Sequence, residues 1–74
     1  MRCTRSWILR KGVDPFLVAA ELLGFSYCLN EVLGKEKEEG WEITVVVEMP
    51  SGVRHIAHKL FEDVRHYLEK NNYV

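Results

Sequence analysis

At Trp41 the chain begins to alternate. Trp41, Ile43, Val45, Val47 and Met49 fall on one side of an extended segment, and Glu42, Thr44, Val46 and Glu48 on the other. Pro50-Ser51-Gly52 ends that pattern, and the period then changes. Val53, Ile56, Ala57, Leu60, Phe61, Val64, Tyr67 and Leu68 recur at helical spacing and fall within about 140° of a helical wheel. Residues 41–74 therefore predict one strand, one turn and one amphipathic helix over 53–70. A sheet covered on one face by helices is the architecture such a pair requires. The turn has a second reading. Pro50-Ser51-Gly52 also suits a hairpin, with 53–57 as a further strand and the helix opening only at His58.

The first half of the chain is less regular. Residues 3–10 predict a strand in which Cys3, Trp7 and Leu9 share one parity and Arg5 is the exception. Asp14-Pro15 is a strong helix start, because Asp caps free N–H groups and Pro fits the first helical position. The apolar run behind it predicts one helix to about Leu33, ended by Gly34. On a wheel that helix has no polar face, so it must be buried on several sides. Residues 35–40, Lys-Glu-Lys-Glu-Glu-Gly, read as a solvated connector. A helix between two neighbouring strands makes them parallel. The expectation is a single α/β domain over 1–74, a small two-layer sandwich of order β-α-β-α. Both helices lie on one face of a short sheet that oligomerisation completes. The alternative is β-α-β-β-α with a hairpin at 49–57.

Composition narrows the function. With 74 residues, the domain is too small to bury a large core. Net charge is −1 and the sequence pI about 6.3, without the basic excess of a dedicated nucleic-acid binder. Cys3 and Cys28 are far apart, build no zinc pattern, and read as small buried thiols in a reducing compartment, with a bridge between them as the alternative. The basic start lacks the apolar stretch of a secretory signal. Glu21, Asn30 and Glu31 interrupt the apolar run at 16–33, which argues against a membrane span. These points predict a cytoplasmic protein. The absence of glutamine and the Lys/Glu-rich 35–39 segment are thermophile-like.

Three groups of residues are candidates for function. If the strands are parallel, the two strand-to-helix turns share one edge. Arg10, Lys11 and Gly12 would there meet Ser51, Gly52, Arg54 and His55, with Arg5 behind, as an anion or nucleic-acid site at two helix N-termini. His58, Glu62 and His66 are spaced i,i+4 on the helix face opposite the apolar stripe, so each adjacent pair suits a metal. Eight residues rise about 12 Å, which is too far for His58 and His66 to share one ion. Last, Phe16, Leu17, Phe25, Tyr27 and Trp41 exceed what one amphipathic helix covers, and point to an oligomer interface. No nucleophile, base and orienting acid come together in the sequence, so no catalytic residue and no cofactor are expected. The reading that follows is a non-enzymatic binding or assembly module acting as a homodimer or other homo-oligomer, with a protein partner also in scope. RNA or DNA binding along the basic edge is the alternative, and an anionic small molecule the second.

Overall fold

The computed structural model describes residues 1–24 and 29–74. Its elements are β1 (Arg2–Ile8), α1 (Pro15–Leu23), β2 (Leu29–Lys37), β3 (Gly40–Glu48) and α2 (Arg54–Lys70). The sheet order is β1-β3-β2, and both flanking strands pair antiparallel with β3.

The element order is β-α-β-β-α, the order of the alternative, and not β-α-β-α. The additional strand is not 53–57, which enters α2; it is β2, drawn from residues assigned by sequence to the end of the first helix and the connector. The first helix stops at Leu23, where Gly24 supplies the cap through hydrogen bonds to Ala20 and Leu22. The connector shrinks to Glu38-Glu39, a tight hairpin turn between Lys37 and Gly40. Because β2 and β3 form a hairpin, the crossover that would have made the strands parallel is absent. β2 was hard to recognise for a physical reason. It is an edge strand, so Lys35, Glu36 and Lys37 are exposed whichever face they occupy, and a bulge at Asn30 breaks its alternation.

β3 behaves as its alternation predicts. Ile43, Val45 and Val47 are buried in the core with Val18 and Leu22 of α1 and Ala57, Phe61, Val64 and Leu68 of α2. Both helices therefore cover the same face. Trp7 tilts against Phe61, with centroids 6.4 Å apart, which seats α2 over β1. On the opposite face Val46 has 0% exposure. Beside it the Arg2 side chain spans from β1 across the central strand, 3.8 Å from Glu48 on β3 and 3.5 Å from Glu31 on β2.

Two polar devices fix the helices and the tail. The Glu21 carboxylate on α1 accepts from the Tyr67 hydroxyl (3.0 Å) and the Tyr73 hydroxyl (2.7 Å) through one oxygen. Burial first, then the Glu21 bond, raises the Tyr67 pKa; for Tyr73 the Glu21 bond is the larger cause. Past α2, Asn72 adopts a positive φ of 59° and turns the chain back. The Arg10 N–H then donates to the Tyr73 carbonyl at 2.7 Å, and Arg10 Nε to the Val74 main-chain oxygen at 2.9 Å.

The hairpin turn makes a steric prediction. Glu38 and Glu39 keep negative φ, and Gly40 takes φ 136°. A Cβ at Gly40 would stand 2.5 Å from the Leu9 carbonyl oxygen, whereas one at Gly12 (φ 90°) would meet nothing within 4 Å. Gly12→Ala should cost about 1–2 kcal/mol from backbone conformation alone. Gly40→Ala adds a backbone clash and should cost about 3 kcal/mol or more. Urea unfolding of both variants checks the order; equal losses would contradict it.

Candidate functional site

The antiparallel sheet separates the two turns that the sequence placed on one edge. Ile8 pairs with Glu42 and Arg2 with Glu48, so Arg10, Lys11 and Gly12 lie at one end of the sheet and Ser51, Gly52, Arg54 and His55 at the other. Six residues of strand put these ends about 20 Å apart. No shared basic edge forms.

At the first end, Arg10, Lys11 and Gly12 border a hollow of about 270 Å³ shared with Glu36, Lys37 and Glu38. Acidic side chains offset its cations, and Arg10 Nε is already bonded to Val74. The N-terminus of α1 is occupied as well: the Asp14 carboxylate accepts from the Phe16 N–H at 2.9 Å. An anion arriving there would meet a carboxylate.

The second end is more open. Val53 provides no side-chain cap to α2. Cys3, Arg5, Arg54, His55, His58 and Phe61 line a groove of about 560 Å³ between β1 and α2. Arg5 occupies a core-facing register position at the sheet edge, opposite Val45, and this explains its odd parity in the sequence. Its guanidinium lies 5.0 Å from the Phe61 ring centroid and donates to Glu62 Oε2 at 3.2 Å. His58 Nδ1 is 3.5 Å from Arg5 Nη2. Cys3 is free and half-buried; Cys28 lies outside the described residues.

Glu62 is the hub of this region. It also accepts from Arg65 Nη2 at 3.0 Å, and Arg65 Nη1 donates onward to Glu69 at 2.9 Å. The Arg65 hydrogen bond is the main cause holding the Glu62 carboxyl below its usual range of about 4.5; the charges of Arg65, His58 and Arg5 add to it against partial desolvation. Both arginines thus draw Glu62 away from a metal shared with His58 or His66. Among the described residues no three His, Cys, Asp or Glu side chains gather in a metal-ligating arrangement. His66 lies farther along α2, beside a shallow hollow shared with Asp63, Tyr67, Lys70 and Asn71.

Of the apolar candidates Phe16 and Trp41 come together, while Leu17 falls on the Glu21 side of α1. Phe16 is 78% exposed, Leu17 51% and Leu23 49%. At about 100° per residue, Val18 and Leu22 face the core, while Phe16, Ala19, Ala20 and Leu23 form a second stripe on the flank of α1 away from Glu21. That flank borders the open edge of β2. Phe16, Ala19, Val32, Leu33, Gly34 and Trp41 enclose a groove of about 310 Å³ with Pro15. The Phe16 and Trp41 rings tilt together at 6.3 Å, and the Trp41 indole lies 3.6 Å from where a Gly34 Cβ would stand. Leu33, on the other sheet face, is 45% exposed. Phe25 and Tyr27, the remaining interface candidates, lie outside the described residues. The sequence did not single out Leu23, Leu33 or Gly34, because they were read as parts of one long helix and its stop. Gly24 held the signal, a glycine nine residues after Pro15.

No family model, curated protein or solved structure matches this chain. Among the described residues no helix is long and apolar enough to cross a membrane.

The Glu62 hub gives a pH prediction. A carboxyl whose folded pKa is depressed stabilises the fold above its unfolded value, and that contribution is lost as pH falls through the folded value. Glu62→Gln should therefore lower Tm at pH 7. The gap to wild type should narrow as pH drops below 4.5 and close in stronger acid. A gap independent of pH across that range would show that Glu62 acts only through packing.

Proposed function

We propose that this chain is a non-enzymatic assembly module that works as a homo-oligomer in the cytoplasm. The observation that carries this reading is the set of exposed apolar side chains on one flank of α1, Phe16 and Leu23, beside the Trp41 groove and the edge of β2 that among the described residues has no strand partner. Either feature alone is ordinary on a small protein. Together they leave apolar side chains and backbone hydrogen-bonding groups exposed along one side, and a second protein surface satisfies both at once. The free thiol of Cys3 accords with a reducing compartment.

The opposite ends of the two basic turns weigh against nucleic acid or a small anion as principal ligand. A continuous phosphate track needs adjacent cations, and here the stronger cluster, Arg5 and Arg65, is engaged by Glu62.

Light scattering or sedimentation at micromolar concentration should give more than one chain per particle. Phe16→Glu should shift the particle toward a single chain with its circular dichroism spectrum unchanged, since Phe16 contributes little to the core. A wild-type particle of one chain would overturn the reading.

A further inference from the structure

We propose that the oligomer is a two-fold dimer in which β2 pairs antiparallel with β2 of a second copy, centred on Leu33, to give a continuous six-stranded sheet. This rests on the assembly reading above and specifies its partner, edge and register.

The argument begins with the charges along β2. Glu31, Leu33 and Lys35 lie on the outer face, opposite Val46, Thr44 and Glu42 of β3. A two-fold axis through Leu33 sets Glu31 against Lys35 of the second copy, Lys35 against its Glu31, and Leu33 against itself. Residues directly opposite on antiparallel strands have Cβ atoms about 5 Å apart. Each ion pair therefore forms twice, and the exposed leucine is buried against its own copy. Among the described residues Lys35 has no ion-pair partner within its chain. Among the described residues the Glu31 carboxylate meets Arg2 alone, at 3.5 Å.

The core-facing side fits the same register. Val32 falls opposite Gly34 of the second copy. Gly34 has no side chain, and the Trp41 indole lies over it. The incoming valine thus meets an aromatic surface at a position with no competing Cβ. The bulge at Asn30 ends regular pairing on one side, so the self-complementary segment is Glu31 to Lys35.

Neighbouring registers lose these matches. Centring on Val32 puts Glu31 against Leu33; centring on Gly34 pairs Glu31 with Lys37, which is already held by Glu42 at 3.1 Å, and leaves Leu33 against Lys35 and Val32 against Glu36. A one-residue slip reverses one copy's faces and sends its helices to the opposite side of the sheet. Every register centred on a residue, the Leu33-centred one included, keeps both α1 helices on one face. Strands lie about 4.8 Å apart, so a helix seated over β2 and the near side of β3 stands about 4–5 Å from the axis. The two copies of α1 then run side by side about 8–10 Å apart, the ordinary spacing of packed helices. Their facing flanks carry Phe16, Ala19, Ala20 and Leu23, two large residues and two small ones.

The other open edge fails the same test. The charged residues of β1 are Arg2 and Arg5, both cationic, so no self-pairing of β1 creates an attractive charge pair. An isologous interface needs a patch complementary to itself, and β2 is the edge that has one.

A charge-mixing experiment tests the register. Glu31→Lys alone sets lysine against lysine, and Lys35→Glu alone sets glutamate against glutamate. Sedimentation should show each variant's dimer weakened about tenfold. A one-to-one mixture restores both attractive pairs across the heterodimer and should recover affinity to within about threefold of wild type. As a second measurement, Leu33→Cys in a Cys3→Ser, Cys28→Ser background should give a covalent dimer with a short bis-maleimide, and Ser6→Cys on β1 in the same background should not. If wild type is oligomeric but the mixture shows no recovery, or if Ser6→Cys cross-links in place of Leu33→Cys, the β2 register is overturned while the assembly reading stands. A monomeric wild type overturns both.

Discussion

Everything in this fold hangs on one strand being paired on both sides. β3 places Ile43, Val45 and Val47 under the two helices and hydrogen-bonds to β1 and β2 in opposite sense to each. That choice sets the ends of the sheet at which the turns emerge. It also makes both remaining strands edges. Among the described residues two helices cover one face and no further strand extends the sheet.

How much was legible depended on where a segment sits relative to the core. β3 and α2 each bury one regular face, so their periods of 2 and 3.6 were plain in the residues. The cap at Asp14 and the N-terminal strand were also readable, since each depends on local chemistry. β2 was not. Its pattern is shaped by solvent on one edge and by the bulge at Asn30, and Leu29-Asn30-Glu31-Val32-Leu33 has the look of a helix continuing from α1. That single misreading carried the candidate site with it. Joining Arg10 to Arg54 required parallel strands, and parallel strands required the long helix. Of the interface candidates, Phe16 and Trp41 meet, Leu17 falls on the Glu21 side of α1, and Phe25 and Tyr27 lie outside the described residues. His58, Glu62 and His66 were correctly assigned to the outward side of α2, but the wheel did not reveal that Arg5, arriving from β1, would claim Glu62.

The distribution of charge now has a consistent logic. Arg5, Arg65, Glu62 and Glu69 form an interior-facing to solvent-facing chain that ties α2 to β1. Arg2 ties the outer faces of β1 and β3 to β2. Among the described residues, half of the ten Lys and Arg side chains (Arg2, Arg5, Lys37, Lys59 and Arg65) are paired with the chain's own carboxylates. Charged side chains on an edge strand normally discourage pairing with other chains. On β2 their order, acid before base about a central leucine, favours the antiparallel arrangement that sets Glu31 against Lys35 and Leu33 against itself.

The Glu21 clasp bears on why the apolar flank of α1 stays exposed. A short helix with apolar residues on two sides gains by rolling until more of them are sheltered. Rolling α1 here would swing Glu21 out of reach of both tyrosine hydroxyls and lift Val18 and Leu22 from the core. One side of the helix is thus moored by polar bonds of defined direction, the other only by contacts that any neighbouring surface can supply. The exposure of Phe16 and Leu23 is a torsional consequence of that mooring, enforced from the far side of the helix by a single carboxylate oxygen.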